Sequence, residues 1–330
     1  MMAGEKIEVS VAEIEERTRE ALLKAGCGAS AATHVARAVG EAEARGNLIC
    51  GLYYLESYCT QLGTGRVDGH AQPLVTTPRP GTVQVDAAKG FAQAAFAAGL
   101  EPALDAVSTQ GVATLSIHHS HTCTSMGFFT EQIARAGMIA IGMTNAPACV
   151  APPGGSVPVL GTNPISMAVP DGDGGIAMLF DQSTSATAIG KVRVAAAKGE
   201  KVPDGWIVDA AGKPTNEPND MASLVSSGGY KGFGFGLMAE VLAAGLTGSV
   251  LSVDAAPLKT PEGPPHNLGQ FYILIDPEAF GGNLSARLAP LMAAVEAQEG
   301  ARVPGRHKDV PDRVSIDAEL WNSVLELAGE

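Results

Sequence analysis

Apolar and polar positions change rhythm several times along this chain. Over residues 10–62 the apolar positions fall three and four apart. Ile14, Ala21, Leu22 and Leu23 form one stripe, so the segment reads as helices. The first opens on Ser10-Val11-Ala12-Glu13, which has the form of a capping box. A second helix is expected over residues 30–46, and a third from about Cys50 to Leu62 with Gly63 as its stop. From Pro73 the texture changes. Thr82-Val83-Gln84-Val85-Asp86 alternates as a strand, residues 91–110 read as a long helix, and residues 112–118 as a second strand. Residues 127–137 are read as helix, 138–145 as strand, and 165–169 and 177–181 as short strands. Residues 196–229 are read mostly as loop and 233–246 as helix. Phe271-Tyr272-Ile273-Leu274-Ile275 is a continuous apolar strand. From Leu284 the pattern returns to helix, breaks at Val303-Pro304-Gly305, and ends in helix over 317–327.

Strands alternating with helices imply an α/β layer. Helical material at both ends suggests a lobe built from both termini around that layer. The expected division is a helical part at 1–75, a central α/β domain at 76–283, and the rest of the helical lobe at 284–330.

Composition narrows the classes. Hydrophobic residues make up 45 % of the 330, beside 40 glycines and 21 prolines, as in a loop-rich globular protein. A net charge of -13 disfavours nucleic acid or an anionic membrane as partner, because those select a basic face. The five cysteines (Cys27, Cys50, Cys59, Cys123, Cys149) are odd in number and lack C-x-x-C spacing, which suits reduced thiols in a cytoplasm. Glu5, Lys6 and Glu8 interrupt any basic-then-apolar leader, and no apolar run approaches the roughly 20 residues of a membrane span.

The densest chemistry lies at the end of the 112–118 strand. His118, His119 and His121 bring three of seven histidines into four positions. Histidine suits proton transfer near neutrality. In an extended strand His119 and His121 share one face, and His118, Ser120 and Thr122 the other. The cluster reads as an acid–base or substrate-orienting group, or as buried structural histidine. His70, His266 or His307 can add a third metal ligand, but no spacing demands one, and no metal is expected. Gly228-Gly229-Tyr230-Lys231-Gly232 precedes a helix, so its amides and Lys231 can hold a phosphate; an ordinary loop is the alternative. Asp181 ends an apolar run, as a cleft carboxylate or as a helix cap.

Together these segments resemble the type-2 malate/L-lactate dehydrogenase family of NAD(P)-dependent oxidoreductases. The pieces that carry the resemblance are Gly161-Thr162-Asn163-Pro164, Phe180-Asp181 with Ser183-Thr184-Ser185, Gly190-Lys191-Val192, and Gly229-Tyr230-Lys231-Gly232. The runs Gly65-Arg66-Val67-Asp68-Gly69 and Val85-Asp86-Ala87-Ala88-Lys89-Gly90-Phe91 look most like the branch that reduces Δ1-piperideine-2-carboxylate and Δ1-pyrroline-2-carboxylate. The resemblance implies a central α/β domain that is not Rossmann, a helical domain from both termini, and a homodimer with its active site in the interdomain cleft. It implies cofactor contacts at Ser120, Thr162, Asn163, Pro164, Asp181, Ser183, Ser185, Lys191, Tyr230, Lys231, Gly305 and Arg306. The cofactor would be NADPH or NADH; Lys191, Arg193 and Lys198 can meet a 2′-phosphate, which favours NADPH, or else form a solvated basic face. Hydride would pass to C2 of a small 2-imino or 2-oxo acid, or back.

The departures fall on the acid–base side. After Arg45-Gly46 the family typically carries Ser-His-Gly, whose histidine is a proposed proton donor; this chain has Ile49-Cys50-Gly51. Where an Arg commonly follows, Tyr54 stands. Ser-Asn-His-Phe-Gly becomes Ser120-His121-Thr122-Cys123-Thr124. His121 is therefore the favoured replacement donor and Cys50 the second, with Asp181 completing the catalytic set. Arg45 is the candidate for a substrate carboxylate, or else a salt-bridge residue, and Tyr54, His119 and Thr122 complete the substrate contacts. A protonated cyclic imine needs less acid catalysis than a ketone, so imine reduction is the favoured activity. A 2-hydroxy-acid dehydrogenase, or a dinucleotide-binding module without catalysis, are the alternatives.

Overall fold

The computed structural model describes residues 5–306 and 310–330. In chain order the elements are β1 (Lys6–Ser10), α1 (Val11–Lys24), α2 (Ala29–Ala44), α3 (Leu55–Thr64), β2 (Leu74–Arg79), β3 (Thr82–Asp86), α4 (Ala92–Gln110), β4 (Val112–Ser120), α5 (Gly127–Arg135), β5 (Ile139–Thr144), β6 (Ile165–Pro170), β7 (Ile176–Gln182), α6 (Ile189–Lys198), β8 (Ile207–Val208), β9 (Pro214–Thr215), β10 (Ser223–Leu224), α7 (Tyr230–Glu240), β11 (Leu268–Ile275), α8 (Leu284–Glu296), β12 (Arg313–Asp317) and α9 (Ala318–Ala328).

Seven strands form the central sheet in the order β2-β3-β4-β11-β5-β6-β7. Among the described strands only β3 and β4 run parallel; every other neighbour in this sheet is antiparallel. That is not the parallel, doubly wound order of a Rossmann sheet. Helices α4 and α5 cover it, and Phe96, Phe129 and Tyr272 meet edge to face at the centre of the core. The buried Tyr272 hydroxyl donates to Gln270 Oε1 at 2.7 Å, so its polar end is satisfied.

A second core joins the two termini. Ile14, Leu22, Val35, Leu55 and Tyr58 pack with Ile316, Trp321 and Val324. Strands β1 and β12 pair antiparallel from Lys6 opposite Asp317 to Ser10 opposite Arg313. Helix α8 contributes nothing to this core among the described residues. It is tied to the β6–β7 hairpin instead, where Ser285 Oγ donates to Asp171 O. A third, small core groups Val192 of α6 with Ile207 and Leu224.

Local signals explain most boundaries. Ser10 Oγ accepts from Glu13 N at 3.2 Å, as the capping pattern predicts. The third helix begins five residues later than expected. Two single turns of 3-10 helix, Leu48–Cys50 and Leu52–Tyr54, precede it, and it stops at Gly65 (φ 78°) rather than Gly63. Residues 196–229, read as loop, hold the end of α6 and a three-stranded sheet of two-residue strands.

Candidate active site

The end of β7, the start of α5 and the 3-10 turns that follow α2 lie close together. Asp181, near the end of β7, places Oδ2 to accept from Ser125 Oγ at 2.9 Å and from Gly127 N, the first residue of α5, at 2.8 Å. It keeps solvent-accessible surface although protein crowds its carboxyl. Burial raises its carboxyl above the usual carboxylate range against the Gly127 and Ser125 bonds that lower it. Cys50, at the end of the first 3-10 turn, faces the same region. Burial pushes its thiol up to about 12, with the Asp181 and Cys123 charges adding to the effect. Tyr54 stacks on Tyr58 with ring centroids 5.8 Å apart, and burial also raises its hydroxyl, while nearby Arg193 lowers it. Cys50, Tyr54 and Asp181 are thus brought together.

The histidines are not arranged as strand alternation predicts. Strand β4 loses register against β11 between Leu268 and Gln270, and His119 takes a left-handed backbone, φ 52°. A bulge of this kind re-aims side chains. His118 and His119 consequently turn together toward Asp86, while Ser120, His121 and Thr122 all lie buried. The shared faces expected for His119 with His121, and for His118 with Ser120 and Thr122, are therefore overturned.

His121 occupies a closed polar pocket. Its Nε2 lies 2.7 Å from Gln61 Oε1, and Gln61 Nε2 already donates to Leu258 O and Thr260 O at 2.6 and 2.9 Å. Gln61 Oε1 must accept, so His121 carries its proton on Nε2, and the buried Nδ1 has no partner. The ring stacks on His266 with centroids 3.9 Å apart. Burial, then the His266 and Arg66 charges, drive the His121 pKa well below its ordinary value. Burial and Arg66 bring His266 to about 3. An imidazole held neutral in this way does not supply an imidazolium proton near neutrality, which removes the physical reason for favouring His121 as the acid. Gln61 and His266 carry no spacing signal that sequence reasoning can use.

Arg45 lies at the end of α2 and pairs with Glu41 at 3.0 Å and with buried Glu131. That geometry agrees with its salt-bridge reading. Thr122 N donates to His266 Nδ1 at 3.3 Å, and Ser120 Oγ to Leu268 O at 3.1 Å. Both are structural bonds within the β4 end.

The loops expected to face a dinucleotide are brought together. Thr184 N donates to Thr162 O, and Ser227 N to Thr184 O, each at 2.9 Å. Ser185 bridges Ser226. Gly161 is required by close approach: a Cβ there would stand 2.2 Å from Ala146 O. Asn163 is completely buried. Its Nδ2 donates to Gly236 O at 3.1 Å and to Glu240 Oε2 at 2.7 Å, so its side chain positions the loop. Pro164 O accepts from Thr144 N at 3.4 Å, Ser183 Oγ donates to Ser185 O at 3.2 Å, and Ser185 Oγ to Thr187 O at 2.8 Å. Gly229 (φ 66°) opens α7 with no side-chain cap, so the first-turn amides beside exposed Tyr230 and Lys231 are available to an anion. The buried hydroxyls of Thr187 and Ser226 lack partners among the described residues. Gly305 and Arg306 reach the same sheet edge, since Leu179 N donates to Pro304 O at 2.9 Å and Arg306 pairs with Glu296 at 3.3 Å. An uncapped glycine turn, a lysine and small hydroxyl residues fit a phosphate-bearing cofactor. Lys191 lies exposed on α6, whose Gly190 packs on Ile49 next to Cys50. His307 lies outside the described residues.

Comparison with known proteins decides the family. The malate/L-lactate dehydrogenase family model matches residues 9–312. The chain belongs to this family. It is an NAD(P)-dependent oxidoreductase, and the α/β architecture with its non-Rossmann sheet is that of the family. A Delta(1)-pyrroline-2-carboxylate reductase of Ancylobacter novellus is 36 % identical over 98 % of both chains. A (2R)-3-sulfolactate dehydrogenase (NADP(+)) of Chromohalobacter salexigens is 36 % identical over 91 % of this chain and 90 % of its own. The crystal structure of delta1-piperideine-2-carboxylate reductase from Pseudomonas syringae superposes with a TM-score of 0.89 at 32 % identity, covering 97 % of this chain and 99 % of that one. No helix among the described residues is long and apolar enough to cross a membrane.

Proposed function

We propose that the protein uses NADPH or NADH to reduce a small cyclic 2-imino acid of the Δ1-pyrroline-2-carboxylate type. The observation that carries this reading is the charge state of the groups around Cys50 and Asp181. Cys50, in the place of the family's donor histidine, is held as a neutral thiol at about 12. His121 is held neutral by burial. One carboxyl, Asp181, stands near Cys50. Hydride addition to a ketone creates an alkoxide and requires a well-matched acid. A protonated imine brings its own proton and positive charge, so a carboxylate and no resident imidazolium is the fitting environment.

When bound, the nicotinamide supplies a hydride to C2 of the substrate. Asp181 is fixed by Ser125 and Gly127 through Oδ2, and we assign Oδ1 to the N–H of the imine. Tyr54 stays protonated and, with Arg193 near it, is the partner for the substrate carboxylate. Lys191, Arg193 and Lys198 form no ion pair among the described residues and are exposed, which favours the extra phosphate of NADPH. Lys231 and the α7 amides take the pyrophosphate. The exposed apolar side chains Tyr230, Phe235, Val241 and Leu246 support a homodimer, and five free cysteines support a cytoplasmic setting.

Steady-state rates decide the substrate class. kcat/KM for Δ1-pyrroline-2-carboxylate should exceed that for pyruvate by at least about tenfold, or about 1.4 kcal/mol. A clear preference for pyruvate overturns the proposal. The second reading, a 2-hydroxy-acid dehydrogenase, draws support from the sulfolactate dehydrogenase relative and predicts that outcome.

A further inference from the structure

A carboxylate-lined crevice lies beside the β4 bulge. We propose that Asp86, His118 and His119 form a binding site for a divalent transition-metal ion of the zinc class.

The backbone builds this group. Neighbouring residues of a regular strand point to opposite faces. The left-handed turn at His119 cancels that alternation, and both imidazoles face the carboxylate that ends β3, the parallel neighbour of β4. His119 Nδ1 stands 3.1 Å from Asp86 Oδ1, and His118 Nε2 stands 3.7 Å from Asp86 Oδ2. One ligand atom from each residue lies within 4.8 Å of the others, and among the described residues no other group of three His, Cys, Asp or Glu side chains comes so close. Small inward shifts bring three such atoms to the roughly 2.0–2.2 Å bonds that zinc makes with imidazole and carboxylate.

The frame around the group is held from several directions. Ala87 N donates to His118 O, Lys89 N to His119 O and His121 N to Gly90 O, each at 2.9 Å. Asp86 Oδ1 also accepts from Ala88 N at 2.8 Å. The group opens into a crevice of about 460 Å³ lined by Asp68, Asp86, Ala88, Lys89, His119 and Asn267. Four of those residues, Ala88, Lys89, His119 and Asn267, are among the seven described non-glycine residues with positive φ. Such backbone persists where the surroundings over-determine it, and it gathers at functional sites. The side chains of His118, His119 and Asp86 are 22, 41 and 35 % exposed, so an ion can enter without opening the fold.

Two imidazoles and one carboxylate select zinc, nickel, copper or cobalt; magnesium and calcium prefer oxygen alone. The Lys89 ammonium in the same crevice opposes any cation, so the imidazole bonds must supply the affinity. None of the three ligands belongs to the Cys50–Asp181 group, so the site stands whether or not the imine reading holds.

Isothermal titration of tag-free protein with Zn2+ at pH 7.5 tests the site. The expected result is one ion per chain with a Kd on the order of 10 µM or tighter. Millimolar Mg2+ should not compete. His119→Ala and Asp86→Asn should each weaken binding at least about tenfold, while His70→Ala should not change it. The melting temperature supplies a control for folding: Zn2+ should raise it for the parent and not for His119→Ala, whose metal-free melt should match the parent's. Absence of saturable binding below about 100 µM, or binding that survives His119→Ala unchanged, overturns the proposal.

Discussion

Asp86 closes β3 and Asp181 lies one residue from the end of β7, yet the two carboxyls are driven in opposite directions. Burial raises both, and the partners decide the outcome. At Asp86 the Ala88 amide and the two imidazoles outweigh burial, and the carboxyl falls below its ordinary value. At Asp181 burial outweighs the Gly127 amide and the Ser125 hydroxyl, and the carboxyl rises. A carboxylate beside imidazoles is a permanent anion suited to a cation. A carboxyl beside a neutral thiol and tyrosines is poised to interact with a proton. An imidazole at the Cys50 position would make the two sites more alike.

Asp181→Asn should produce the largest change. It keeps the shape and removes the anion that faces the imine. kcat/KM for the cyclic imine should fall about 10²–10³-fold, the usual cost of losing a preorganised electrostatic partner. Dinucleotide affinity, read by fluorescence titration, should move less than about threefold, since the phosphates are assigned to α7. A loss below about tenfold would make Asp181 no more important to the chemistry than Asp86.

The bulge between the two sites carries the next effect. It turns His119 outward to Asp86 and sends His121 into the protein beside His266. Both buried rings are neutral in the fold, His266 at about 3 and His121 well below its ordinary value. In the unfolded chain each titrates near 6.5. Above that value neither state binds the proton and the pair is neutral in effect. Below it the unfolded chain binds protons that the fold excludes, so stability declines as pH falls from about 6.5 toward 3. By pH 5 the loss from His266 is about 2 kcal/mol, and His121 adds a loss of the same sign. Urea unfolding at pH 7 and pH 5 measures it, and a flat profile would mean that these rings titrate as freely as exposed histidine.

Cys50→His should come next. It sets an imidazole near Asp181, as His118 and His119 stand near Asp86, and restores a donor matched to neutral pH. Turnover of pyruvate should rise about tenfold, at the low end of what a positioned acid supplies. The preference for the imine should narrow accordingly. If the ratio of the two substrates stays constant, the thiol is not what separates them.

Much of this was legible in the sequence. The Ser10 cap, the continuous Phe271–Ile275 strand and the lobe built from both termini follow from local chemistry and period. Strands β1 and β12 were missed although Lys6-Ile7-Glu8-Val9-Ser10 and Arg313-Val314-Ser315-Ile316-Asp317 both alternate; each is five residues long and its strand partner, the other, lies over 300 residues away. The orientation of the histidines was not legible, because the bulge exists only where β4 loses register against β11. The Asp86 partnership was hidden for the same kind of reason, since parallel pairing supplies the carboxylate from 33 residues before His119. Gln61, which fixes the His121 tautomer, sits on α3 and reaches β4 only through the packing of two cores.

Asp86→Asn should have the smallest effect on the fold, and its sign is set by the lowered carboxyl. A carboxylate whose folded pKa lies below its unfolded one adds stability above the unfolded value, near 3.9, and loses it as pH falls through the folded one. At pH 7 that contribution is present in full. The Asp86 side chain is 35 % exposed, however, so solvent screening leaves less than about 1 kcal/mol. Asparagine also retains an oxygen for the Ala88 amide, which Asp86 Oδ1 accepts at 2.8 Å. The urea midpoint in chelator-treated buffer should therefore shift little at pH 7. A loss above about 2 kcal/mol would mean that this carboxylate holds the left-handed turn at His119 in place, which gives Asp86 a structural weight that a screened, half-exposed pair does not carry.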